Sequence, residues 1–251
     1  MRYFMHLAYR GENFHGWQTQ PNASSVQQTI EEAISTIVRY PTAIVGAGRT
    51  DAGVNARMMI AHLDLPDDFK VDKDNGKFLR GLNTLVGRDI AIYSLRPVAA
   101  DAHARFDATA RSYRYFAHRG KNPFVGRQSW QAPDSLDFDR MNAAAALLPG
   151  RRDFTSFSKL HTDVKTNICN LRAAKWIADG EGRWYFEITA DRFLRNMVRA
   201  IVGTLVEAGR GRLAPEEMND IIERRDRSAA GTSMPGEALF LWDIQYPYIS
   251  F

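Results

Sequence analysis

With 251 residues, 45% of them hydrophobic, the chain is long enough for one large core or two small ones and too apolar to be disordered. Its formal charge is only +4, yet 26 of its 33 basic residues are arginine, the cation suited to bidentate phosphate contacts and to stacking on bases. One cysteine, Cys169, excludes an intrachain disulfide and a cysteine-based metal cluster. The six histidines show no ligand spacing, and no apolar run reaches membrane-spanning length. The opening residues alternate as a strand and carry no signal-peptide core, so a reducing cytoplasm is the expected compartment.

Tyr3 to Arg10 reads as a β-strand ending at Gly11. Phe14-His15-Gly16-Trp17-Gln18-Thr19-Gln20 follows as a loop, with Phe14 and Trp17 expected to be core aromatics beneath it. Ser25 and Gln28 form a capping box for a helix to about Val38, with Ile30, Ala33, Ile34 and Ile37 on its inner face.

A small-residue loop comes next: Gly46-Ala47-Gly48-Arg49-Thr50-Asp51-Ala52-Gly53-Val54-Asn55-Ala56. Its glycines permit tight turns, and the apolar run from Met58 to Ala61 ties it to a strand. A phosphate-cradling loop would need Lys then Ser/Thr where Val54 and Asn55 stand. A glycosidase would need a second carboxylate, and Asp64 and Asp67 lie beyond the strand, where they read as solvated turn residues. A single aspartate, kept ionised and oriented by an arginine and acting at a sugar carbon, uses what the loop offers. Asp51 and Arg49 are its chemistry-bearing residues.

Further on, residues 57 to 65 read as a strand, 74 to 86 as a helix and 90 to 98 as a strand, an order that predicts an α+β layer sandwich. The next strand, roughly Ala108 to His118, places Arg111, Tyr113 and Tyr115 on one face and Ser112, Arg114 and Phe116 on the other. A face with tyrosine between cations suits a base stacked outside its helix, and it suits equally a strand with buried aromatics and solvated arginines. Lys121 to Asp134, rich in Pro and Gly, marks the break between halves 1–120 and 121–251. Asp137 caps an alanine-rich helix to Leu148, stopped by Gly150, and residues 159 to 167 read as an exposed loop. Strands 168–178 and 183–190 form a hairpin through Asp179-Gly180-Glu181-Gly182. A helix from Phe193 to Gly209 carries the stripe Leu194, Met197, Val198, Ile201, Val202 and Leu205, with Arg195 and Arg199 on one flank. Pro215 opens an acidic helix to Arg225, and Leu239 to Tyr246 is the last strand.

Five of these stretches together resemble the TruA family of tRNA pseudouridine synthases. They are the Gly11-to-Gln20 pattern, the Gly-Arg-Thr-Asp-Ala-Gly-Val core, Ala102-His103-Ala104-Arg105-Phe106, the strand holding Tyr113, and Phe193-Leu194-Arg195-Asn196-Met197-Val198-Arg199-Ala200-Ile201-Val202-Gly203. They occur in family order, and the resemblance covers nearly the whole chain, from Gly11 to Tyr246. The resemblance implies an α+β pseudouridine synthase-like fold of two pseudo-duplicated halves, with antiparallel sheets meeting at a central cleft. It makes Asp51 the nucleophile and gives Arg49 the holding of a flipped-out nucleotide. Tyr113 is implied to stack on the target base and handle protons, Arg199 to pair with Asp51, and Arg105 and Arg111 to bind substrate. Implied too are a homodimer acting on the tRNA anticodon arm, at three adjacent positions there, and no cofactor, metal or membrane.

Three positions depart from the pattern. Arg152 and Asn55 stand where histidine is usual, and the last strand opens on Ala238-Leu239, preceded by Met234-Pro235-Gly236-Glu237, where the family has Gly-Leu. Two other classes stay compatible with the residues alone: a non-catalytic RNA-binding module with no need of Asp51, and a nucleoside- or sugar-processing enzyme indifferent to tRNA.

Overall fold

The structure, a computed structural model, describes residues 1–66, 69, 71, 76–159 and 166–251. The readings of Asp67, of a helix start near Asp74, and of residues 160–165 as part of an exposed loop lie outside the described residues. Contacts divide the chain into two units, Met1–Thr109 with Leu241–Phe251, and Ala110–Phe240. Both are helices on largely antiparallel strands, as an α+β chain requires.

In the first unit β1 (Arg2–Tyr9) is buried on both faces. Phe4 lies against Tyr246 at a ring-centroid distance of 5.2 Å and the half-buried His6 against Phe251 at 5.6 Å, while Met5 and Leu7 alternate to the other side and are fully buried. α1 (Val26–Val38) starts where the Ser25 hydroxyl accepts the Gln28 N–H at 3.2 Å. Half of the expected capping box forms, because the Gln28 amide turns one helical turn onward and donates to Glu32 at 2.8 Å. β2 (Ile44–Gly46), β3 (Asn55–Asp64), α2 (Gly76–Leu85) and β4 (Ile90–Pro97) complete this part of the chain. The strand order is β4-β1-β3, with β2 paired to β3. Asn83 fastens α2 to β4, donating to the Ile92 carbonyl and accepting the Ile92 N–H, each at 2.8 Å. Asp64 is a strand end paired with Arg2 at 2.8 Å, not a turn residue.

The second unit contains β5 (Ala110–His118), β6 (Trp130–Gln131), α3 (Phe138–Ala145), β7 (Gly150–Asp153), β8 (Ile168–Ala178), β9 (Arg183–Ala190), α4 (Met197–Gly209), α5 (Glu217–Arg224) and the start of β10 (Leu239–Gln245). Its strands run β5-β9-β8-β7, all antiparallel, with β6 parallel to β5. The Pro- and Gly-rich stretch 121–134 lies inside this unit. α3 is seated by aromatic packing: Phe138 stacks face to face on Trp184 at 4.3 Å and meets Trp176 edge-on at 5.2 Å. Arg152, at the position where histidine was expected, donates to the Leu147 carbonyl at 3.0 Å and to Asn219 at 2.7 Å, joining the end of α3 to α5.

α4 corrects the expectation of a helix from Phe193. It begins at Met197, because Asn196 adopts a left-handed conformation with φ of 68°. Arg195 therefore precedes the helix and is exposed, and the two arginines do not share a helical flank. From Met197 to Gly209 every residue but Arg199 and Glu207 is buried, so the stripe widens to the whole circumference. Among the described residues no helix is long and apolar enough to cross a membrane, and no cluster of three His, Cys, Asp or Glu could hold a metal ion.

Candidate active site

The Asp51 loop joins two paired strands. β2 and β3 match Ile44 with Leu63 and Gly46 with Ala61, and the Ala47 N–H bonds the Ile60 carbonyl at 2.8 Å before the loop leaves the sheet. It then turns tightly: the Val54 N–H reaches the Asp51 carbonyl at 3.2 Å, with Gly53 at a φ of 77°.

The loop from Gly11 to Trp17 clasps this turn from outside. The Trp17 N–H donates to the Thr50 carbonyl at 3.2 Å, and the Gly53 N–H donates to the Phe14 carbonyl at 3.3 Å. Tyr9 and Thr50 share a buried hydroxyl–hydroxyl bond of 2.8 Å, and Asn55 accepts the Gly11 N–H at 2.9 Å. Asn55, 1% exposed, thus keeps the hydrogen-bonding role expected of a polar group there. Trp17 is core, and a Cβ on Gly46 would stand 2.6 Å from its ring. Phe14 is only half-buried, since the clasp uses its carbonyl. Asp51 is half-buried and Arg49 exposed, on a backbone held on both sides. Sequence reasoning missed Tyr9 and Thr50, whose bond spans 41 residues of chain.

Gly16 is the tightest point. Its φ is 97°, and a Cβ there would stand 2.5 Å from the Thr50 carbonyl oxygen and 3.3 Å from the Asp51 carbonyl carbon. Gly16→Ala is expected to lower stability by about 1–3 kcal/mol, a fall of roughly 3–10 °C in the unfolding midpoint for a chain of this size. An unchanged midpoint in a thermal scan would contradict the clasp.

Arg105 lies in the turn before β5. The His103 ring accepts N–H bonds from Arg105 and Phe106 at 3.1 and 3.3 Å, and the Arg105 guanidinium stands 5.8 Å from the centre of the exposed Phe106 ring. Beneath, His62 accepts the Ala104 N–H at 3.2 Å. Burial, aided by the charges of His103 and Arg2, pushes the His62 imidazole down to about 4. The folded protein therefore holds this proton less tightly than the unfolded chain. The contribution of His62 to stability is full above pH 6.5 and is lost as pH falls from 6.5 to about 4. His62→Gln should flatten the unfolding free energy across that window in a denaturant series, and an unaltered slope would contradict this.

In the second unit, β5 and β9 pair Tyr113 with Ile188 and Arg114 with Glu187. Tyr113, 9% exposed, meets the Phe193 ring edge-on at 5.1 Å, and Arg111 donates to the Asp191 carbonyl at 2.9 Å. Arg114 pairs with Glu187 at 2.7 Å and covers the Tyr185 ring at 4.3 Å, so its alternate residues face a different environment, as the strand alternation requires. Tyr115 is fully buried, and its hydroxyl has no hydrogen-bond partner among the described residues. Burial pushes that phenol up, the Arg199 charge pulls it down and the Glu237 charge raises it, which puts all three within electrostatic reach. The Arg199 Nε–H donates to the Met234 carbonyl at 2.6 Å, and the Met234 N–H returns a bond to the Arg199 carbonyl at 3.1 Å. The geometry thus brings Arg49 together with Asp51 on one loop, and Tyr115 into the neighbourhood of Arg199.

A family model described as tRNA pseudouridine synthase matches residues 144–247. The tRNA pseudouridine synthase A of Porphyromonas gingivalis is 58% identical, over 98% of this chain and 97% of that protein. Those of Parabacteroides distasonis and Bacteroides thetaiotaomicron are each 54% identical over 98% of this chain, covering 96% and 91% of their own lengths. Identity of this extent places the fold in the pseudouridine synthase class. Within that class, the chain belongs to the tRNA pseudouridine synthase A family.

Proposed function

We propose that the protein isomerises uridine to pseudouridine in the anticodon stem-loop of tRNA, with Asp51 as the catalytic residue. The observation that carries this reading is the clasped Asp51 turn, five bonds and two glycine contacts converging on residues 50–55 of a chain in this family. A backbone so fixed holds the carboxylate's point of attachment in place before substrate arrives.

The target uridine must leave the stack, because its C1′–N1 bond is out of reach inside a paired stem. Asp51 then acts at the ribose, by attack on C1′ or by removal of the 2′ proton to give a glycal. The C1′–N1 bond breaks and the uracil rotates. C5 bonds to C1′ as the Asp51 oxygen leaves that carbon or, on the glycal route, as the 2′ proton returns to C2′. A base takes the C5 proton and N1 gains one, so atoms and charge balance. Substrate and product are isomers, so no co-substrate is consumed. Tyr113 holds the base, Arg49 the flipped-out nucleotide, Arg111 and Arg105 the surrounding backbone, and Arg199 is the partner of the carboxylate. The protein works as a cytoplasmic homodimer, with Asp51 in the half 1–120 and Arg199 in the half 121–251.

The C5 proton gives the test. With tRNA tritiated at uridine C5, the wild type should release tritium to water in step with turnover. Release without a change in the RNA, or none at all from tRNA that binds, would overturn the reading.

A further inference from the structure

The segment from Arg227 to Gly236, which runs into the stretch before the last strand where the sequence leaves the family pattern, lies against α4 as a strap. Its approach is backbone on backbone: a Cβ on Gly203 would collide with the Thr232 carbonyl, and one on Gly231 would stand 2.8 Å from the Thr204 nitrogen. The Gly231 N–H donates to the buried Thr204 hydroxyl at 2.9 Å, and that hydroxyl donates in turn to the Ala200 carbonyl at 2.9 Å. One residue before Met234, the Ser233 hydroxyl accepts two donors, the Asn196 amide at 2.6 Å and Arg227 at 3.0 Å. The second Arg227 nitrogen closes the strap on the Ala230 carbonyl at 3.2 Å.

Asn196 precedes α4 with a φ of 68°, and its side chain makes no capping bond to that helix. A left-handed residue here could be glycine at no steric cost, so backbone shape alone does not call for asparagine. What the amide does is reach Ser233. The chain Asn196 to Ser233 to the Met234 peptide to Arg199 Nε connects the two ends of one functional stretch, with the Met234 carbonyl at its last link.

We propose that Ser233 is a positioning residue for Arg199, its hydroxyl fixing the strap so that the Met234 carbonyl holds the guanidinium in one plane through Nε. This rests on the reading that Arg199 serves the chemistry. A guanidinium anchored at Nε presents its two terminal nitrogens as a fork of fixed direction, the geometry that a carboxylate accepts in bidentate fashion. Without the anchor the charge remains and its direction is lost, which costs rate more than affinity.

The test uses the full-length protein and two readouts: the solvent-protected side-chain Nε–H signal of Arg199 in nitrogen–proton NMR, assigned by its disappearance in Arg199→Ala, and the single-turnover rate beside the tRNA dissociation constant. Ser233→Ala and Asn196→Gly should each lose the protected signal and lower the single-turnover rate by about tenfold, with tRNA affinity within about twofold. Ser233→Thr, which keeps the hydroxyl, should restore both. Retention of the signal in Ser233→Ala, its loss without a change in rate, or a rate loss that tracks affinity and that threonine does not rescue would each overturn the proposal. An Arg199→Ala protein that keeps its rate would instead strike the role given to Arg199, whatever the Ser233 variants show.

Discussion

Asp51→Asn is expected to lower the single-turnover rate by at least about four orders of magnitude, as removal of a nucleophile does. Asparagine matches aspartate in size but is a far weaker nucleophile or base. The clasp is made by the Asp51 carbonyl, by Thr50, Gly53 and Asn55, and by Gly11 and Gly16 across from them. The turn should therefore keep its shape, and tRNA affinity should stay within about twofold. Filter binding alongside single-turnover kinetics separates the two. A variant that loses affinity and rate together would make Asp51 a structural residue of the turn.

Arg199→Ala should lower the rate by about two to three orders of magnitude, the range seen when a charge-stabilising donor is removed from an active site, with a smaller change in tRNA affinity. The variant also removes the donor that meets the Met234 carbonyl at 2.6 Å, so a stability loss of roughly 1–3 kcal/mol should accompany it. Chemical denaturation measures that part independently. Equal loss of rate and affinity would make Arg199 a phosphate contact.

What could be read from sequence was what local rules control. β8 and β9 have the expected bounds, since their period-two pattern and the Gly180–Gly182 turn act over a few residues. α1 begins just after its cap Ser25 for the same reason. The start of α4 was missed because one left-handed asparagine breaks a helical pattern whose hydrophobic spacing runs on through it. β7 was missed because Gly150-Arg-Arg-Asp has no strand character of its own and is a strand only by pairing with β8.

The candidate site divides along the same line. The Asp51 motif is contiguous and was legible. The clasp that stiffens it joins Tyr9 to Thr50 and Gly11 to Asn55 across about forty residues, which no spacing rule connects. The strap on α4 is less legible still, because its closest approach is between the backbones of Gly203 and Thr232, and backbone contacts leave no side-chain signature beyond a glycine.

The most direct measurement incubates unmodified tRNA transcripts with wild-type protein and with Asp51→Ala, then maps pseudouridine by carbodiimide-dependent stops in reverse transcription. Stops in the anticodon arm with the wild type alone are the predicted result, and they would join reaction, location and nucleophile in one observation. Absence of stops with either protein, while tRNA still binds, would contradict the account.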